Sequence, residues 1–369
     1  MTQGLPFKKH IQDIHPYEPG KPIKELQREY GIRNVVKLAS NENPLGPSGK
    51  AVRAMRRAIR DAHLYPEGNC YYLLNRLAKD LTIDPEHIIF GNGSNEIIEL
   101  IARGFLSEND EVLSSETTFL VYPILSQVCG AKYRTVPMRD FRYDLRGMLQ
   151  VITPRTRVIF IANPNNPTGT YVTAAEVEDF LSKVPENVIV CFDEAYVDFV
   201  DADDFPQTLA FVKNGRKNVI VLRTFSKAYG LAGVRVGYGL ASKEMVAYLH
   251  KVRQPFNVNA IAQAAATAAL DDTFFRWRTK WLVVRGRKYF YRKLSGLGLQ
   301  CLPSQANFIL MNVKSEGREL YHYLLRHGLI VRPMAAYELP EWIRVTVGRR
   351  SQNVQLIRLL KTYFSKKAA

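Results

Sequence analysis

Between residues 85 and 240, short apolar runs alternate with polar loops and amphipathic stretches, and three runs are apolar at nearly every position: 157–162 (RVIFIA), 187–192 (NVIVCF) and 218–222 (NVIVL). Strands that read this way are covered on both faces, as in the parallel sheet of an α/β layer. Between the first two, 174–184 carries apolar side chains at Val177, Phe180, Leu181 and Val184 with charge elsewhere, the pattern of a crossover helix. Beyond about residue 255 the texture changes. An Ala-rich helix is predicted over 259–270, then a long basic helix, then strands at 306–313 and 343–347. The pattern predicts an α/β protein with a large domain over 46–255 on a mostly parallel central sheet and a smaller α+β domain over 256–369. The irregular, Pro- and Gly-containing segment 1–45 is predicted to be an arm packing with the small domain. No internal repeat or low-complexity tract interrupts this order.

Each clear strand runs into a polar sequence: 163–169 (NPNNPTG), 193–196 (DEAY) and 224–227 (TFSK). Ligands of open α/β sheets bind outside the carboxyl ends of the strands, so Asn166, Asp193, Tyr196, Ser226 and Lys227 are expected to meet in one crevice. A lysine attacks an aldehyde only as the free amine, which requires a site that lowers its proton affinity; a buried strand end near Arg235 supplies one. Asp193 follows an apolar run, where a carboxylate needs a cationic partner; a cationic ligand, a structural arginine or a helix-capping role would each account for it. Residues 91–95 (GNGSN) follow the run 87–90 and open an amphipathic helix over 96–105. Gly93, Ser94 and Asn95 suit a phosphate held at a helix N-terminus, and equally an ordinary cap. Arg235 either adds a guanidinium to such an anion or lies on the surface. Neither a G-x-G-x-x-G fingerprint in the right context nor a Walker loop is present, which argues against dinucleotides and nucleoside triphosphates.

Composition narrows the remaining classes. The 369 residues are 46% hydrophobic and 23% charged, ordinary for a soluble chain, and no apolar run is long enough to span a bilayer. The N-terminus lacks the pattern of a secretory signal, and Gly4 is misplaced for myristoylation, so a cytoplasmic protein is expected. Cys70, Cys129, Cys191 and Cys301 are far apart with no C-x-x-C pair, arguing against a disulfide framework or a zinc site. The formal charge of +16 is compatible with nucleic acid, an acidic surface or anionic small molecules. Its densest basic stretch, 276–293, intersperses Arg and Lys with Trp277, Trp281, Val284 and Phe290, and is better read as one helix with a buried and a solvated face than as a nucleic-acid patch.

Taken in order, these residues resemble the pyridoxal-phosphate aminotransferases of fold type I, and more closely their histidinol-phosphate aminotransferase branch. The resemblance spans nearly the whole chain: 17–22 (YEPGKP), 39–48 (ASNENPLGPS), 65–66 (YP), 91–96 (GNGSNE), 163–169, 193–196, 224–228 (TFSKA) with Arg235, 306–308 (ANF), 331–334 (VRPM) and 343–348 (IRVTVG). It implies pyridoxal 5'-phosphate as cofactor, with Lys227 holding its aldehyde and later shuttling the proton, and Asp193 paired with its ring nitrogen. Asn166 and Tyr196 would bond its phenolic oxygen, and Phe119 would stack on the ring, where many relatives have tyrosine. Gly93, Ser94, Asn95, Thr224, Ser226 and Arg235 would surround its phosphate, joined by Tyr65 from the other subunit of a homodimer. Arg344, assisted by Asn41 and Asn307, would bind the carboxylate of the amino donor, and Arg332 with Tyr17 the histidinol-phosphate end. The implied reaction converts histidinol phosphate and 2-oxoglutarate to imidazole acetol phosphate and glutamate. An aromatic amino-acid aminotransferase, a phosphothreonine decarboxylase and, more distantly, a non-catalytic binding protein are the alternatives.

Overall fold

The computed structural model describes residues 8–17 and 19–368. Glu18 of the 17–22 motif, and the residues 1–7 that the signal and myristoylation readings turn on, lie outside them. Seven strands form the larger sheet, in the order Ile88–Gly91, Gly237–Ala241, Val219–Thr224, Ile189–Asp193, Thr156–Ala162, Glu111–Ser115 and Lys132–Val136. Only Gly237–Ala241 runs antiparallel to its neighbours; every other pairing is parallel. Successive side chains of a strand face opposite ways, and both faces here are covered. Ile159, Ile161, Val190, Phe192 and Val221 join the core on one side, while Val158, Phe160, Cys191, Ile220 and Leu222 join the core on the other. Two buried faces are why the three runs read as continuously apolar.

Register places the strand ends. Ala162 pairs with Asp193, and Asp193 with Leu222, so three carboxyl termini lie side by side and their loops open onto one cleft. The crossover helix is Ala174–Lys183; Thr173 and Glu176 form a reciprocal capping box, and Val177, Phe180 and Leu181 are its buried face.

A smaller antiparallel sheet, in the order Arg332–Met334, Leu339–Thr346 and Phe308–Asn312, packs under the helices Gly317–Arg326 and Arg350–Ala368. Its core centres on Phe290, Ile309, Leu324, Val345 and Leu360. Val36–Lys37 pairs in parallel with Leu329–Ile330, and the helix Ile23–Tyr30 sets Leu26 against Ala39, Leu325 and Ile330, which ties the arm to this smaller sheet.

Two expectations shift. The texture changes at about 255, yet the helix Ala260–Leu270 packs on Gly49–Ala58 and Tyr71–Leu81, and its Ala262, Ala265, Ala266 and Ala269 belong to the core of the larger sheet. Alanines let these helices approach closely, a requirement that composition does not assign to either sheet. In the basic helix Thr273–Ser295 the buried face is Thr279, Val283, Gly286, Arg287, Phe290 and Leu294, while Trp277 and Trp281 are 59% and 47% exposed. Arg287 is buried because four acceptors replace its hydration: the carbonyls of Ser304, Ala306 and Phe199, and the Asp201 carboxylate at 2.7 Å. The tryptophans instead stack on one another and on Phe274, with the Arg285 guanidinium over Trp281.

Among the described residues no helix is long and apolar enough to cross a membrane, no cluster of His, Cys, Asp and Glu suits a metal, and the four cysteines are unpaired.

Candidate active site

The loops at the strand ends enclose, with residues of the smaller sheet, a cleft of about 190 Å³. Lys227 follows the strand Val219–Thr224 and reaches in, its Nζ 3.4 Å from the Ser40 carbonyl and 5.6 Å from the centre of the Tyr196 ring. Burial, and then the Arg344 guanidinium, lower its pKa to about 8, against the opposing pull of Glu42. About a tenth of the amine is therefore free at pH 7, the state a carbonyl requires, against less than about a thousandth for an ordinary lysine.

Asp193 ends the neighbouring strand and is 5% exposed. Its Oδ2 accepts the Tyr122 hydroxyl at 2.9 Å and its Oδ1 the Ala195 N–H at 3.1 Å. Burial nevertheless pushes its pKa up to about 6, because neither donor carries a full charge. A cation in the cleft would lower it again and strengthen the ionised form.

The amino end of the helix Ser94–Phe105 supplies an anion cradle. Gly93 sits at φ 77° and places Ser94 and Asn95 in the first turn, with their N–H groups at the positive end of the helix dipole. Arg235 lies across this end: Nη1 donates to Ser226 Oγ at 3.4 Å and Nη2 to the Asn92 carbonyl at 3.2 Å. A Cβ on Gly93 would stand 2.5 Å from Nη2, so this approach requires glycine. Thr224 Oγ1 accepts the Ser226 N–H at 3.1 Å and shapes the turn beside it.

Across the cleft the smaller sheet presents two arginines. Arg332 and Arg344 are directly paired on adjacent antiparallel strands and so share a face. Like charges in such pairs repel, and the arrangement is favourable when an anion lies between them. Arg344 donates Nη1 to Asn166 Oδ1 and Nη2 to the Ala39 carbonyl at 2.9 Å, while its buried Nε has no hydrogen-bond partner among the described residues. Arg332 lies 5.9 Å over the Tyr17 ring. Asn41, in the left-handed region at φ 55°, is held by Thr346 Oγ1, which accepts its N–H at 2.9 Å, and donates its side-chain amide to the Tyr196 hydroxyl at 3.0 Å.

The residues singled out from sequence all line this cleft except Gly93, Asn307 and Tyr65. Gly93 lies behind the Arg235 guanidinium. Asn307 sits one layer back, donating to the Asn41 carbonyl at 2.9 Å, and its own Oδ1 has no partner among the described residues. Tyr65 is 84% exposed and stacks on Phe256 at 5.0 Å. Sequence reasoning missed Tyr122 and Thr346. Tyr122 carried a signal, since a tyrosine inside the apolar run 119–125 (FLVYPIL) must find a partner for its hydroxyl if the run is buried.

The family model for aminotransferase class I and II matches residues 33–360, and the chain belongs to that family. Within it, the chain is 48% identical to the histidinol-phosphate aminotransferase of Moorella thermoacetica, covering 95% of this chain and 91% of the relative. It is 46% identical to that of Desulfotalea psychrophila, over 96% and 94%. A crystal structure of histidinol-phosphate aminotransferase from Sinorhizobium meliloti in complex with pyridoxal-5'-phosphate superposes with a TM-score of 0.90 at 27% identity, over 98% of this chain and 99% of that one. The site fits that cofactor on its own chemistry. A half-buried amine stands ready for an aldehyde, a helix terminus with Arg235 for a phosphate, and a buried carboxylate hydrogen-bonded by two neutral donors for a ring nitrogen.

Proposed function

We propose that this protein transfers the amino group of histidinol phosphate to 2-oxoglutarate, giving imidazole acetol phosphate and glutamate, and that it works as a cytoplasmic homodimer with pyridoxal 5'-phosphate. The observation that carries the reading is the convergence of the half-buried Lys227 amine and the buried Asp193 carboxylate on one cleft, whose far wall holds Arg332 opposite Arg344. When bound, the cofactor supplies an aldehyde carbon for the incoming amine and a ring that takes up the electron pair left as the α-proton departs. Lys227 would hold the cofactor's aldehyde carbon, and its Nζ would serve as the base that carries the α-proton. Asp193 holds the ring nitrogen in its protonated form, Phe119 covers the ring, and Asn166 and Tyr196 bond its phenolic oxygen. Ser94, Asn95, Thr224, Ser226 and Arg235 hold the phosphate, with Gly93 making room, and Tyr65 reaches it from the second subunit. Arg344, with Asn41 and Asn307 behind it, takes the carboxylate of glutamate or 2-oxoglutarate; Arg332 and Tyr17 take the histidinol-phosphate end.

Glutamate formation by the cofactor-loaded protein, measured with histidinol phosphate, tyrosine or phosphothreonine as the partner of 2-oxoglutarate, tests this. Histidinol phosphate should be preferred, and Lys227→Ala should reduce turnover to background. Preference for tyrosine would move the substrate, and carbon dioxide release from phosphothreonine would replace the reaction.

A further inference from the structure

Asp193 raises a physical problem that its sequence position does not solve. A carboxylate that must bind a ring nitrogen has to be ionised, oriented and buried at once, and burial opposes the first requirement. Two donors answer it, one for each oxygen. The Ala195 N–H is part of the backbone turn after the strand, whereas the Tyr122 hydroxyl comes from the helix Val121–Val128, 71 residues earlier.

Tyr122 is fully buried and its ring is clamped. One face lies on Phe160 with centroids 4.6 Å apart and planes 4° from parallel; its other aromatic contact is with Phe119, edge to face, at 5.6 Å and 87°. The backbone is fixed too, with the Tyr122 N–H donating to the Phe119 carbonyl at 3.1 Å and Ser126 Oγ donating to the Tyr122 carbonyl at 2.7 Å. Burial, then the Asp193 charge, push the Tyr122 pKa well above that of a free phenol. The hydroxyl therefore keeps its proton and remains a donor. One side chain thus touches the two residues assigned to the same heterocycle, Asp193 at its nitrogen and Phe119 on its face.

We propose that Tyr122 is a positioning residue for amino transfer, its hydroxyl holding the Asp193 carboxylate ionised and aimed while its ring sets the plane of Phe119. The inference rests on the reading of Asp193 as the partner of the ring nitrogen. A donor to a carboxylate stabilises the charged form, so removing it makes Asp193 more basic and draws the shared proton from the ring nitrogen to the carboxylate. The ring becomes a poorer acceptor of electrons, and the cofactor is held less tightly.

The test compares four cofactor-loaded proteins: wild type, Tyr122→Phe, Asp193→Asn and the double variant. Two properties are read, the cofactor dissociation constant by equilibrium dialysis and the nitrogen resonance of ring-labelled ¹⁵N cofactor. Tyr122→Phe should weaken cofactor binding about tenfold or more and move the resonance toward the unprotonated position. In the Asp193→Asn background the same change should alter affinity by less than about threefold. Equal losses in both backgrounds, or no loss with aspartate present, would show that Tyr122 serves packing alone. If Asp193→Asn itself leaves affinity and resonance unchanged, the assignment of Asp193 fails and the inference with it. Should Tyr122→Phe not retain cofactor, 4-aminophenylalanine at position 122 keeps a weaker N–H donor at nearly constant shape and should move the resonance part of the way toward the unprotonated position; an unmoved resonance overturns the proposal.

Discussion

Lys227 and Asp193 were legible in the sequence because each is a polar residue at the end of an apolar run, where burial costs most and function is the usual compensation. Their environments were not legible. Lys227 owes its lowered pKa first to burial and then to Arg344, which lies 117 positions along the chain on another sheet. The consequence is measurable. The folded value of about 8 lies below the ordinary lysine value, so the free amine gains population as pH rises through 8 and is nearly complete by 9. Covalent uptake of cofactor at Lys227 by the cofactor-free protein, trapped with borohydride and followed by mass spectrometry, should rise about tenfold from pH 7 to pH 9 and then level off. An unshifted lysine would continue to gain about tenfold per pH unit up to its own pKa. A rise that continues past pH 9 would remove the argument from burial.

Helices and strands were read best where a local rule fixes both ends. The run 157–162 became the strand Thr156–Ala162, and the amphipathic stretch from 174 became the helix Ala174–Lys183, started by Thr173. Thr173→Ala removes the capping oxygen and should cost about 1 kcal/mol in urea unfolding, with turnover per folded molecule unchanged, because this helix lies behind the strands and contributes nothing to the cleft. A loss of turnover at constant stability would show that the helix start positions the 163–169 loop. The basic stretch is a helix with one buried and one solvated face, as its pattern predicts, but the pattern does not say which residues lie on which face. Hydrophobicity ranks tryptophan above arginine, but burial of Arg287 follows from four acceptors supplied by distant segments, whereas Trp277 and Trp281, stacked only on neighbours of their own helix, stay 59% and 47% exposed. The strand Leu339–Thr346 likewise begins four residues before the run 343–347, because Leu339, Pro340 and Glu341 are not buried.

Assembly bears most directly on Tyr65. It projects from the surface beside Phe256 and does not reach its own chain's cleft, which is the disposition expected of a residue donated to a second copy. If so, Tyr65→Ala and Lys227→Ala chains, unfolded together and refolded as a mixture, should recover activity. A mixed dimer carries one site with both residues intact, so random pairing returns about a quarter of wild-type activity. No recovery above the separate variants would place Tyr65 outside the shared site.

The make-up of the cleft was already written in the order of motifs, because most of the groups that line it follow directly on strands and helices whose patterns are local. Alternation, caps and apolar runs depend on neighbours a few residues away, and a linear reading contains those neighbours. Tertiary packing alone supplied the partners: Tyr122 on Asp193 across 71 residues, Asn41 on Tyr196 across 155, Arg344 on Asn166 across 178. Pattern shows which face of a strand or helix is buried, but the identity of what covers that face follows from register and crossing geometry. Those set the ionisation of Lys227 and Asp193, on which the chemistry depends.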